Sequence, residues 1–501
     1  MRLLSLIVIL FVSIPSWADN GSNTSAPPQQ EDTFIPSAPE RVLMRQAKSL
    51  NEEKQYKKAI GIYTLLAKQR NPEAIYSLGM MQLQGKGTKA DPVTALKTIT
   101  RAANEAYPDA EYQLGMMMTQ GTGTIKDPQD GIKWLDKAAK SNQPGARYQI
   151  GLAIMKGQAP NKTQELAYQY LLPFANDHDA TAQYYIGKMD LANKHAKQGI
   201  SFLTAAAKQG NIHAAMLLAK TYQTGKAIPQ NYYEAFYWFT QASEKNNADA
   251  NYYLAELYLN GQGVKKDRAR AISLFNDAAK QPDLSKEISY ELAQRYLSGN
   301  PVKKNIATAT KLLRLPAAEG YKNATLQLAE IHQKLGQHST SMTWYQTAAK
   351  GGEMKAQYLL AYAYYTGTHG LKINYQQSLK WYKAAANQGK VNAMYMVGLL
   401  YEKGQGAPTD NAKAIKWFTK AAMNNSAKAQ LMLAIFYQEG RGELKDSVKA
   451  LAWLSIAAAS SNKAVIEKSK EYQAQLNKQL TAEQKNQANQ LAQSYYSKIT
   501  R

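Results

Sequence analysis

The chain predicts an all-α fold, a right-handed superhelical solenoid of helix-loop-helix repeats. Three observations carry that prediction. One unit recurs eleven times, with copies beginning near Ala74, Ala110, Ala146, Ala182, Ala214, Ala250, Ile288, Ala324, Ala356, Ala393 and Ala429, at intervals of 32 to 38 residues. The copies from Ala110 and Ala393 show it well, as an apolar stripe of helical period, a Gly-x-Gly loop and a second stripe with a Trp-x₃-Ala-Ala register: Trp134 with Ala138 and Ala139, and Trp417 with Ala421 and Ala422. Five copies also share their punctuation: a Gly where the first helix needs a left-handed cap (Gly85, Gly121, Gly261, Gly404, Gly440), then six residues later an Asp (Asp91, Asp127, Asp267, Asp410, Asp446) to cap the second. Self-similarity at this period means that each unit buries its apolar face on its neighbours.

The elements follow in order. Residues 1–18 read as a secretory signal. Met1-Arg2 gives one positive charge, Leu3 to Ile14 is apolar apart from Ser5 and Ser13, and Ser16 and Ala18 are the small residues before a cleavage site. The apolar run is short for a bilayer, and no other run of spanning length follows. The mature chain is expected to be exported without an integral membrane span, to the periplasm or, alternatively, to the outside. An uncleaved N-terminal anchor is the other reading. Residues 19–39 are polar and Pro-rich, a disordered linker. Residues 40–73 form a degenerate helical hairpin, with Ala47 and Leu50 on one helix and Ala59, Ile60, Tyr63 and Ala67 on the next. Residues 74–464 hold the eleven copies. In each first helix, counting the opening Ala as place one, Gly or Ala at place six admits a close neighbour: Gly115, Ala361 and Gly398 are examples. Asn231 and Asn305 stand where other copies have the capping Asp, and Pro92 and Pro128 occupy first helical positions. The copies at Ala182 and Ala324 lack about four loop residues. Residues 465–501 read as two polar capping helices, with Thr481 and Gln484 as a capping box between them.

The pattern Ala-x₃-Leu-Gly-x₂-Tyr-x₂-Gly-x-Gly, then Asp, then Ala-x₂-Trp-x₃-Ala-Ala, resembles the Sel-one-like repeats of tetratricopeptide-like proteins. The copy from Ala393 to Lys428 follows it almost position for position. The resemblance spans residues 74–464. It implies an adaptor that assembles protein complexes and, in bacterial exported members, roles with cell-wall-processing enzymes, in polysaccharide export or in host-cell entry. A cysteine-rich subfamily linked to β-lactam binding is a poor match, because this chain has no cysteine.

Catalytic chemistry finds little support. The Gly-x-Gly loops follow helices and never continue as a phosphate-binding GxxxxGK[ST] or GxGxxG. The six histidines show no HExxH and no i, i+4 pair. His332 and His338 are nearest in sequence, yet their spacing sets them on different helix faces. The absence of cysteine excludes thiolate sites and thiol catalysis. No enzyme activity, metal or cofactor is expected.

Binding is better supported. The 501 residues carry a formal charge of +23, unevenly spread. Residues 288–428 hold 18 Lys and Arg against six acids, a net +12, whereas residues 74–181 hold 11 against 10, a net +1. The copy from Ala356 to Asn392 has Lys372, Lys380, Lys383 and Lys390 and no acid. Eight copies carry Tyr at place three: Tyr76, Tyr112, Tyr148, Tyr184, Tyr252, Tyr290, Tyr358 and Tyr395. At helical pitch that place lies about opposite the core stripe, and the resemblance puts first helices on the concave face. Such a ladder either offers a binding surface or packs on the next unit. The tryptophans Trp134, Trp238, Trp344, Trp381, Trp417 and Trp453 read as core. The expected partner is a protein with an acidic patch, contacted by Tyr290, Tyr358, Tyr395 and the four lysines. Peptidoglycan or another anionic glycan is the alternative, and export disfavours nucleic acid.

Overall fold

The computed structural model describes residues 36–499, so the expected signal at residues 1–18 lies outside the described residues. The chain divides into two compact units, one ending at Asp177 and one beginning at His178. The described residues of the first unit form α1 (Ala38–Glu52), α2 (Tyr56–Lys68), α3 (Pro72–Gln84), α4 (Pro92–Asn104), α5 (Pro108–Gln120), α6 (Pro128–Lys140), α7 (Pro144–Met155) and α8 (Gln164–Asn176). The second unit begins with α9 (Ala180–Ala192), α10 (Ala196–Lys208), α11 (Ile212–Thr224), α12 (Tyr232–Glu244), α13 (Ala248–Asn260), α14 (Arg268–Lys280), α15 (Lys286–Ser298), α16 (Ile306–Ala318) and α17 (Lys322–Lys334). It continues with α18 (His338–Lys350), α19 (Met354–Thr366), α20 (Tyr375–Asn387), α21 (Val391–Glu402), α22 (Asn411–Met423), α23 (Ala427–Glu439), α24 (Ser447–Ala458), α25 (Lys463–Gln479) and α26 (Ala482–Ile499). Each unit is an all-α solenoid of helix-loop-helix repeats.

The first helix begins slightly earlier than residue 40. Ser37 caps α1 in a capping box, its N–H donating to Glu40 (2.6 Å) while Glu40 N–H donates to Ser37 Oγ (3.4 Å). Pro39 lies in the first turn, where a missing N–H is tolerated. The tail of the expected linker therefore belongs to the helix.

Small residues set the helix spacing. The opening Ala of ten copies is fully buried. Place six meets a second helix at van der Waals range or closer. A Cβ on Gly398 would stand 2.5 Å from the Phe418 ring, and one on Gly115 2.9 Å from the Gly131 carbonyl oxygen. Where the second helix carries Ser instead, its hydroxyl donates across the gap, Ser341 to the Ala329 carbonyl (2.8 Å) and Ser378 to the Ala361 carbonyl (2.9 Å).

The loops are interlocks. The capping residue's N–H donates back to place nine of the first helix, as from Asp127 to Met118 (2.9 Å) and from Asp410 to Tyr401 (3.0 Å). The same Asp accepts from the new helix, Gln129 and Asp130 N–H on Asp127 (both 3.1 Å) and Lys413 N–H on Asp410 (2.8 Å). Asn374, not anticipated from the sequence, caps α20 in the same way. The second loop glycine rests on the first residue of the preceding second helix: Gly87 on Tyr56, Gly123 on Pro92, Gly263 on Tyr232, Gly406 on Tyr375, Gly442 on Asn411. A Cβ on Gly123 would lie 2.2 Å from the Pro92 carbonyl oxygen, and its φ is +74°, so only glycine serves there.

The deepest second-helix residue is the one after the ladder tryptophan. Phe239, Tyr345, Tyr382, Phe418 and Leu454 are buried, as is Leu135, while Trp134, Trp344, Trp381 and Trp417 are half-buried. In these four the indole sits at the edge of the gap, whereas Trp238 and Trp453 are buried as core. Lys137 Nζ lies 3.9 Å from the Trp134 ring centroid and Lys420 Nζ 4.4 Å from that of Trp417. Trp453 is covered by the C-terminal helices, with Tyr495 stacked on it at 4.4 Å. The Thr481–Gln484 capping box is present between them (3.0 and 3.2 Å).

Candidate functional site

The place-three tyrosines are not opposite the core. Each is half-buried, and Tyr252 is fully buried. A first helix is enclosed by its own second helix and by the start of the next copy, so its buried arc is wider than the stripe suggests. Tyr148, Tyr252, Tyr358 and Tyr395 lean on Phe174, Phe275, Tyr382 and Phe418 of their own second helices, at centroid distances of 4.9, 5.4, 5.6 and 5.8 Å. Tyr76, Tyr184 and Tyr290 reach Tyr107, His213 and Tyr321 of the following copy.

Two of them also line an open groove of about 580 Å³ in the second unit. Tyr358 comes from α19. Val391, Asn392, Tyr395 and Met396 come from the first turns of α21. The far wall is residues 424–428, the turn into α23, and Asn462, the cap of α25. Asn425 adopts the left-handed conformation (φ +63°) that closes this turn. Lys390, the residue before α21, holds Nζ 5.4 Å from the Tyr358 ring centroid, and Lys428 lines the far wall. No carboxylate lines the groove. Burial, reinforced by the neighbouring Tyr362, pushes the Tyr358 phenol above its ordinary pKa. Burial, with Glu402 and Tyr365 nearby, does the same for Tyr395. Both phenols are neutral hydrogen-bonding groups at physiological pH. The arrangement offers two aromatic faces, a Met, a rim of amides and two ammonium groups. It can bind, and it has no nucleophile–base pair.

The other predicted residues lie elsewhere. Tyr290 is on α15, beside Tyr321, whose hydroxyl donates to Glu287 (3.0 Å). Lys372 is in the α19–α20 loop. Lys380 and Lys383 are on α20, where Lys380 Nζ lies 5.2 Å from the Trp381 ring. Only Lys390, Tyr358 and Tyr395 come together. Sequence reading missed Lys428, Met396, Asn392, Asn424 and Asn462, because each has an ordinary local role in a turn, cap or helix start. Adjacency in the fold brings them to one groove.

A second opening, about 370 Å³, is lined by Leu297, Ile306, Ile331, Leu335, Lys304 and Lys334, among others. Ile306 starts α16, the position that a loop glycine covers in regular copies. The next loop is the shortened one between α17 and α18, and it leaves this position open.

Eight stretches match the Sel1 repeat: residues 72–106, 108–143, 212–247, 248–283, 289–321, 355–390, 391–426 and 427–462. The chain belongs to the Sel1 repeat family. The three copies outside these matches, opening at Ala146, Ala182 and Ala324, are still helix pairs: α7–α8, α9–α10 and α17–α18. Their altered loops, more than their helices, set them apart from the other Sel1 repeats. No curated protein matches the chain in sequence. Among solved structures, a protective antigen present in uropathogenic Escherichia coli strains and displaying an SLR fold is similar at 24% identity, over 88% of this chain and 95% of that one, with a TM-score of 0.42. A Sel1 repeat protein from Oxalobacter formigenes is 21% identical over 89% of this chain and 98% of its own, with a TM-score of 0.24. Yeast Tom70 is 14% identical over 88% and 96%, with a TM-score of 0.26. A Sel1 repeat scaffold is suited to protein–protein interaction. Among the described residues, no helix is long and apolar enough to cross a membrane.

Proposed function

We propose that this Sel1 repeat protein is an exported, periplasmic scaffold that holds an acidic segment of a partner protein in the α19–α23 groove. The reading rests on one observation: Tyr358, Tyr395 and Met396 form an apolar floor beside Lys390 and Lys428, with no carboxylate in the lining. A partner side chain of aromatic or aliphatic type fills the floor, and flanking Asp or Glu meets the ammonium groups. Export is supported by the Met1–Ala18 pattern. The family resemblance favours cell-wall-processing or envelope-assembly partners, with a host-cell role as the alternative.

The test is cross-linked capture from an envelope fraction with the native chain and with a Tyr358→Ala/Tyr395→Ala variant. A protein recovered with the native chain, depleted with the variant and released by salt supports the reading. Equal recovery by both, or sedimentation with purified peptidoglycan sacculi in its place, overturns it. N-terminal sequencing should find Asp19 at the start of the envelope form. An intact Met1 in a cytosolic fraction would remove the export part.

A further inference from the structure

Not every joint between repeats uses the glycine interlock, and at one of them a histidine takes its place. The helix α18 begins at His338, the position on which a loop glycine of the next copy rests elsewhere. The loop that should cover it, between α19 and α20, runs from Gly367 to the cap Asn374, one residue longer than the Gly404–Asp410 loop. A Cβ on its glycine at 370 would meet nothing within 4 Å. His369 covers the joint instead. It is held in the left-handed region (φ +56°), with Gly370 after it at +81°, a backbone that a non-glycine residue adopts only at a cost. The two imidazoles face each other Nδ1 to Nδ1 at 3.2 Å, with ring centroids 5.1 Å apart.

Two neutral imidazoles in this pose share one proton between two lone pairs. The same pose suits a metal ion. With metal–nitrogen bonds of about 2.0–2.1 Å, nitrogens 3.2 Å apart subtend about 100–105° at the metal, close to the tetrahedral angle. The neighbouring polar groups are already engaged. Gln337 Oε1 meets His332 Nδ1 at 2.6 Å, and the Thr366 and Thr368 hydroxyls meet each other at 2.8 Å. His332, the histidine nearest to His338 in sequence, is thus turned inward and takes no part.

We propose that His338 and His369 form a two-imidazole site for a divalent transition ion, Zn²⁺ being the type case, that pins the start of α18 to the α19–α20 loop. Imidazole donors select Zn²⁺, Ni²⁺ or Cu²⁺ over Mg²⁺ and Ca²⁺, which require oxygen. Among the described residues no group of three or more His, Cys, Asp or Glu converges on a metal position. Water therefore completes the coordination, and the ion exchanges with solvent. The two histidines flank α19, which carries Tyr358, so the ion would tie the α17–α18 pair to the copy that opens the groove. This revises the expectation that the chain has no metal site.

The test is calorimetric titration of the untagged, chelator-treated full chain with ZnCl₂, beside MgCl₂, together with its His338→Ala, His369→Ala and His213→Ala variants. The expected result is one Zn²⁺ per chain and no Mg²⁺. Affinity should fall roughly ten-fold or more in each of the first two variants and stay unchanged in the third. Because the pair is at the surface, circular dichroism should show that the variants fold. The imidazole ¹⁵N spectrum should place the ion on Nδ1. No saturable Zn²⁺ uptake up to about 1 mM, or uptake unchanged in both pair variants, would overturn the proposal.

Discussion

The same repeat carries two different surfaces within the second unit. From α11 to α19 the free side of the first helices is charge-compensated. Lys220 Nζ lies 4.8 Å from the Tyr253 ring, Arg295 pairs with Glu256, Gln294 and Gln327 exchange two amide hydrogen bonds (2.8 and 3.0 Å), and Lys355 pairs with Glu330 (2.6 Å). Burial raises the Glu256 carboxyl while Arg295 opposes it. From α19 to α23 the same side is aromatic and apolar, with Tyr358, Tyr362, Tyr395, Met396 and Leu399, and the nearby lysines lack carboxylate partners in the groove. The backbone and the alanine core are common to both stretches. The difference lies in a few side chains outside the alanine core. A solenoid separates folding from recognition in this way because its core positions and its free positions are different residues of each helix.

The largest expected effect tests the common core. Phe418→Ala and Phe275→Ala each remove a fully buried ring and should each cost about 3–5 kcal/mol in chemical denaturation. They should differ in binding. Phe418 supports Tyr395 and its loss should weaken partner capture, whereas Phe275 supports Tyr252 in the compensated stretch and its loss should not. Equal effects on capture would erase the distinction between the two stretches.

The next effect tests the surfaces directly. Tyr358→Ala and Tyr395→Ala together should weaken the captured partner by about 10- to 100-fold, mainly through faster dissociation in a surface-binding assay. Tyr252→Ala should leave the affinity unchanged. A matched loss from Tyr252→Ala would move the site out of the α19–α23 groove.

Capping comes next. Asp127→Ala should cost roughly 1 kcal/mol by urea titration and leave binding alone. For Asp410, hydrogen bonds and charge from Lys413 hold the carboxyl below its ordinary pKa. A lowered folded-state pKa means that this contribution is full above the unfolded carboxylate pKa and is lost as pH falls through the folded one. An acid titration should therefore show a smaller loss of stability in that range for Asp410→Ala than for the native chain, since Asp91 and Asp136, also held low, still titrate in both.

The smallest effect belongs to the free charges. Lys390→Gln with Lys428→Gln should slow association by roughly 2- to 5-fold at low salt and flatten its salt dependence. The same change at Lys380 and Lys383, which lie on α20, should do less. Equal effects would mean that the net charge of the stretch matters, and its arrangement does not.

Much of this was legible in the sequence. The copy boundaries, the second-helix caps from Asp91 to Asp446, and the C-terminal capping box follow from local rules, and local rules act over three or four residues. The tyrosines were misplaced for the opposite reason. A helical wheel treats one helix in isolation, and Tyr395 is half-buried because Phe418 and the start of the next copy lie against it. The four-lysine cluster failed likewise. Lys372, Lys380, Lys383 and Lys390 are close in sequence, yet they come from a loop, one helix and the start of another.

The sequence by itself determined the repeat, its length, its helices and the residues that space them. Glycine at a left-handed turn and alanine at a crowded crossing are each required by the backbone beside them. Only the tertiary structure decided which residues from different copies meet: Lys390 with Tyr358, Tyr395 with the Asn424–Lys428 turn, His338 with His369. The physical reason is distance along the chain. Such pairs are joined through stacking across some 30 residues, and no local propensity records which side chain of one copy faces which of the next.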